Sequence, residues 1–125
     1  MSEGGALALA QRVLASLTAL MVVSQFFFAG AGAFGATSFD PHRTIGSLAV
    51  VVALLGLVLS APTGRHRRHT AAVFGLLVVQ ALLGSLGGDD PWIGALHGLT
   101  AIAVMGAAGT LAQANWAPAR AARAG

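Results

Sequence analysis

Gln80-Ala-Leu-Leu-Gly-Ser-Leu-Gly-Gly-Asp-Asp-Pro-Trp-Ile-Gly-Ala-Leu-His97 ends one long apolar segment, turns, and begins another. Gly87 to Pro91 is a turn by its chemistry, since glycine, aspartate and proline break regular structure. His97 then sits about a turn and a half inside the next apolar run. An ionisable ring at that place needs a partner. The candidate lies 55 residues earlier in Phe39-Asp-Pro-His42-Arg43, again at the mouth of an apolar segment. The reading of the whole chain turns on whether His42 and His97 face each other.

Composition sets the class. The 125 residues are 56% hydrophobic and 9% charged, with a mean hydropathy of +0.78. Soluble domains are about 25% charged, so this is the composition of an integral membrane protein. The 17 glycines fit, because membrane helices use small residues for close packing. No cysteine is present, which excludes disulfides, thiol chemistry and iron–sulfur ligation. The net charge of +3 comes from arginines at the ends of apolar segments. That is a topology signal and not a nucleic-acid footprint.

Four membrane helices are expected, over about 8–34, 39–61, 70–87 and 92–115, in a single all-α, up-and-down four-helix bundle. The first apolar run, Val13 to Phe34, competes with a secretory signal peptide, because Ala29 to Ala33 has the small residues of a cleavage site. Its weak basic lead favours a retained helix. Gly30 to Asp40 reads as a linker. Pro41 suits a first helical position, with Asp40 or Ser38 as cap, and Pro62-Thr-Gly64 stops the second helix. Arg65-His66-Arg67-Arg68-His69 reads as a solvated basic loop, and Trp92 and Trp116 as interfacial anchors. Arg12, Arg65, Arg67, Arg68, Arg120 and Arg123 fall on the side of both termini. Arg43, Asp40, Asp89 and Asp90 fall on the other. The expectation is a multi-pass protein of the cell membrane with both termini cytoplasmic.

In that topology the second and fourth helices run parallel, and His42 and His97 both lie near their outer ends. By helix rise His97 is about 8 Å in from Trp92 and His42 only about 2 to 3 Å in from Asp40, a mismatch of about 5 Å that is tolerable if the second helix begins before Pro41. His42, Gly46, Ala49, Ala53, Gly56 and Ser60 form a stripe of small residues on one face of the second helix. Gly94, Gly98 and Ala101 surround His97, while Gln80, Gly84 and Gly87 share a face of the third helix. Small residues beside a histidine make room for a flat cofactor.

Two neutral imidazoles from two helices suit axial ligation of a b-type haem iron. Arg43 is placed to pair with a haem propionate. Zinc normally takes four ligands, and neither a cysteine nor a third histidine lies at that depth. A hydrated metal site using Asp40, Asp89 and Asp90 is a further reading. In the plainest one the histidines only hydrogen-bond across helices or are solvated. Gln25 and Gln80 read most simply as interhelical hydrogen-bonders.

The run Gln80 to Gly84, a short turn with proline, then Leu96-His97-Gly-Leu-Thr-Ala101, with His42-Arg43 and Gly46 earlier, resembles one four-helix half of the haem A synthase family. The chain is similar over about Phe39 to Ala108, and also to half-length membrane relatives of that family. The resemblance implies that His42 and His97 are axial haem ligands on the outer side, the haem being b or alternatively O or A. Where the family's catalytic half carries a glutamate, this chain has Phe39. That departure points to a cytochrome b-like binding or electron-transport role over an oxidase, with no catalytic residue assigned. The alternatives are a half-size synthase-like enzyme and a cofactor-free accessory subunit. One haem near one face needs a partner, expected to be a quinone, an outer redox protein or a second copy in a homodimer.

Overall fold

A computed structural model describes residues 3–117, which form α1 (Glu3–Ala33), α2 (Asp40–Thr63), α3 (Arg67–Leu86) and α4 (Pro91–Trp116). All four helices are long and apolar enough to cross a membrane. Each packs on its two neighbours in a ring: α1 on α2, α2 on α3, α3 on α4 and α4 on α1. The chain is thus an all-α, multi-pass membrane bundle running up and down. Arg120 and Arg123 lie outside the described residues.

The bundle is sorted by residue size. Its buried apolar residues are Ala15, Val22, Ala49, Ala53, Val73, Leu77, Val104, Ala108 and Leu111, and Thr18, Ser60 and Thr70 are buried with them. Leu20, Phe27, Leu55, Val58, Leu82 and Leu99 are exposed on the outside. A water-soluble bundle would do the reverse. In hydrocarbon nothing is gained by hiding a leucine from the surroundings, so association rests on close packing of small side chains. The expected stripe on α2 is the clearest instance: Ala49, Ala53 and Ser60 are fully or almost fully buried.

Helix ends follow local chemistry and shift several expected boundaries. α1 ends at Ala33, close to the expected 34, so the linker read from Gly30 to Asp40 shortens to residues 34–39. It closes with Ala36 N–H bonded to Ala31 O at 2.8 Å and Gly35 N–H to Gly32 O at 3.2 Å. Gly35 sits at φ 75°, the left-handed position that glycine takes without strain. The N-terminal end begins at Glu3, earlier than the polar lead suggests, and gives α1 31 residues, about 46 Å of helix. The residue before α2 is Phe39, which cannot cap. Ser38 Oγ instead accepts from Asp40 N–H at 3.2 Å and donates to the Asp40 carboxylate at 2.9 Å. Pro62 lies in the last turn of α2, and the stop comes at Gly64, with φ 65°.

Arg67, Arg68 and His69 are the first turn of α3 and not a loop; the connection is only residues 64–66, turned by Gly64 and by His66 at φ 50°. His69 is half-buried, with Nε2 3.2 Å from both Ala107 O and Thr110 Oγ1 on α4. At the head of α4 the Asp90 carboxylate caps Trp92 N–H at 2.8 Å, with Pro91 in the first helical position. Trp92 is exposed, and Trp116 donates from its indole to Ser16 Oγ at 2.8 Å.

Candidate functional site

His42 and His97 meet across the diagonal of the bundle, from α2 and α4, which are not packing neighbours. Their ring centroids are 6.0 Å apart and the ring planes cross at 80°. Both residues are half-buried. α2 starts at Asp40, one residue before Pro41, which is the earlier start that matching depths ask for. α1 rises eight residues above Gln25, and residues 34–39 bring the chain back down, so that α2 begins close to the level of the pair.

Each ring is held by the helix that precedes it. His97 Nδ1 is 3.0 Å from the backbone carbonyl of Gln80. A carbonyl only accepts, so the proton is assigned to Nδ1 and Nε2 keeps its lone pair. In return the Gln80 side chain donates from Nε2 to His97 O at 2.7 Å. Its Oε1 accepts from Thr100 Oγ1, also at 2.7 Å. The same exchange recurs on the other hairpin. His42 Nδ1 is 3.2 Å from Gln25 O. With its amide oriented to satisfy its neighbours, Gln25 donates to His42 O at 2.8 Å and accepts from Gly46 N–H at 3.3 Å. That amide nitrogen is also 3.1 Å from His42 Nδ1, so this ring nitrogen has two suitors where His97 has one.

Small residues open the space that the clamps need. A Cβ on Gly84 would come within 3.1 Å of His97 Cε1 and 3.2 Å of its Nδ1. A Cβ on Gly46 would stand 3.1 Å from the Gln25 amide. Above the second clamp Gly87 and Gly94 bring two backbones together; a Cβ on Gly87 would be 2.7 Å from Gly94 Cα, closer than atoms can stand. In the first hairpin Gly32 lets the Phe39 ring lie against α1, 3.1 Å from where a Cβ would be. Phe39 in turn meets His42 edge to face, centroids 6.4 Å apart at 85°.

The structure therefore gathers His42, Gly46, Gln80, Gly84, Gly94 and His97, with Ala101 half-buried one turn below His97. Gly98 is not among them: it is exposed, and a Cβ there would meet open space. Arg43 is exposed on the loop side, next in sequence to His42. Asp40 is exposed and spends its carboxylate on Ser38. Among the described residues no three His, Cys, Asp or Glu side chains converge as a metal site would need. What the structure brings together is two imidazole rings from opposite helices, 6.0 Å apart between centroids, each tied at Nδ1 to the helix before it.

Gln25 was not singled out as a site residue from the sequence. The signal was present as a spacing: Gln25 precedes His42 by 17 residues, as Gln80 precedes His97. Both members of the second pair stand 55 residues after their counterparts.

Over residues 25–86 the chain is similar to a family of unknown function (DUF6220). The matched stretch takes in Gln25, His42, Gln80 and Gly84 and stops before His97. No curated protein and no solved structure matches the chain.

Proposed function

We propose that this membrane protein binds one b-type haem between His42 and His97 and serves single-electron transfer or haem handling. The observation that carries the reading is the doubled clamp, which holds both rings at Nδ1 by the preceding helix and, at His97, leaves Nε2 with its lone pair. Metal-bound histidines are commonly oriented in this way, by a carbonyl on the other ring nitrogen. The separation agrees. The ring centroids are 6.0 Å apart, near enough that His42 and His97 would both reach one metal ion.

A porphyrin supplies four equatorial nitrogens, so two protein ligands suffice. Zinc would need more, and the described residues offer no third. When bound, haem would supply a one-electron iron couple, tuned by axial ligands and burial. The chain's own residues do the rest. Gln25 and Gln80 hold the tautomer and the tilt of each ring, Phe39 covers the outer side of His42, and Arg43 is placed for a propionate. With Phe39 at the position where the resembling family has a glutamate, and Asp40 turned to Ser38, a carrier is favoured over a half-size haem A synthase-like oxidase. The arginine distribution puts the termini in the cytoplasm and the histidine pair near the outer face of the cell membrane. A quinone, an outer redox protein or a second copy of the chain is the partner that such a one-sided haem needs.

The test is the visible spectrum of the detergent-purified protein, oxidised and dithionite-reduced, beside His42→Ala and His97→Ala. A sharp reduced α band lost in both variants is expected, with a pyridine haemochrome giving the haem type. A colourless protein, even with haem supplied during expression, removes the proposal and leaves a cofactor-free accessory subunit.

A further inference from the structure

The end of the bundle that carries both termini contains a second polar place, unrelated to the histidines. Gln11 and Asn115 are 95% and 97% buried, at 5% and 3% exposure. Gln11 Oε1 and Asn115 Oδ1 have no hydrogen-bond partner. An unpaired buried acceptor typically costs about 1–3 kcal/mol, and here there are two. Asn115 has already committed its amide nitrogen to Leu111 O at 3.0 Å, so its oxygen is what remains.

Both side chains line one small cavity in the bundle core, with Thr18, Gly56, Thr70 and Leu111 around it. Thr18 and Thr70 each donate their hydroxyl back to their own helix, to Leu14 O at 2.9 Å and His66 O at 3.1 Å. Their hydroxyl oxygens therefore have only lone pairs to offer the cavity. The place is rich in acceptors and wants a donor. Its volume of about 20 Å³ exceeds the roughly 10–15 Å³ that one water needs.

We propose that this cavity is a binding site for a single water molecule that donates one hydrogen to Gln11 Oε1 and the other to Asn115 Oδ1, tying α1 to α4. Water matches the site in size and in having two donors. A sodium ion would also find oxygens, but no carboxylate is there to offset its charge. Between this site and the histidine pair the core is Val22, Ala49, Ala53, Leu77 and Val104, which have no polar side chains. Gln11 lies 14 residues below Gln25 on α1, about 21 Å away. The water is an isolated structural one and not a link in a proton path.

The experiment is water-edited solid-state NMR of the full chain in lipid bilayers, with the Gln11→Leu/Asn115→Leu double variant as control. Transfer from water to Thr18, Thr70 and the two amide carbons is expected at mixing times where Val22, Ala49 and Val104 stay dark, and at Thr18 and Thr70 it is lost in the double variant. Transfer no faster than in the apolar belt overturns the proposal. So does transfer to the threonines that persists in the double variant, which would mark bulk solvent. Amide shifts that move when sodium is replaced by choline would make the occupant a cation and also overturn it. In thermal melts the single leucine variants should each lower Tm, and the double variant should fall by less than their sum; additive losses count against a shared water.

Discussion

The two hairpins, α1–α2 and α3–α4, perform one task by different routes. Each places 16 residues between its glutamine and its histidine. The first uses eight on α1, six in the loop and two on α2; the second uses six, four and six. The ring-to-carbonyl bond is the same in both. The surroundings are not, because the second clamp lies between two regular helices and the first lies partly under a loop. Thr100 fixes Gln80, whereas Gln25 has only the Gly46 amide at 3.3 Å. The lesson is that a conserved spacing in one chain can preserve a contact while the path between its ends changes.

The difference can be broken or sharpened by substitution. The largest effect, and the one that should ignore the difference, is on the proposed haem. His42→Ala and His97→Ala should each abolish bis-imidazole ligation, read as loss of the reduced α band; loss in one variant only would mean that the hairpins are not equivalent at the metal.

Next come the two glycines that set the approach of each hairpin. Gly87→Ala must push backbone from backbone and should destabilise the fold by more than the roughly 1–3 kcal/mol usual for overpacking, read as a strongly lowered Tm. Gly32→Ala meets only the Phe39 ring, which can turn aside, so its cost should be smaller. Equal losses would show the first loop to be as rigid as the second turn.

The glutamines come third. Gln80→Leu removes a hydrogen-bonded group from His97 and Thr100 together and should weaken haem retention about 10-fold or more, in the range seen for residues that orient metal ligands. Gln25→Leu should do less, since its bonds are longer and contested. Haem loss to apomyoglobin measures both; the reverse order would contradict the ranking of the clamps. Last, Gly98→Ala should leave the spectrum unchanged and raise stability slightly, by up to about 1 kcal/mol, because alanine suits an open helix position better than glycine.

The four segments and their up-and-down order were legible because apolar runs of that length have few alternatives in water or lipid. The histidine pair was legible for a related reason: topology puts the two helix mouths at one face. What the sequence hid was finer. Gly98 was placed beside His97 because it is adjacent in the chain, yet one residue is about 100° of helix, which turns it outward. Gly94 and Ala101, three before and four after, share the ring's face. A single membrane glutamine such as Gln25 has many uses, and only its repeated interval to a histidine distinguishes it. The descent of residues 34–39 and the contact of the still-exposed Phe39 ring with Gly32 depend on tertiary contacts that no local pattern announces.

The contact between Ser16 and Trp116 spans 100 residues, whereas each glutamine–histidine clamp spans 17. Closing the longer loop costs about 1.6 kcal/mol more in chain entropy. In chain entropy, each half of the site therefore closes more cheaply within its own hairpin than the seam between α1 and α4, so that the terminal helices act as the costly last staves of the bundle while the clamps are local.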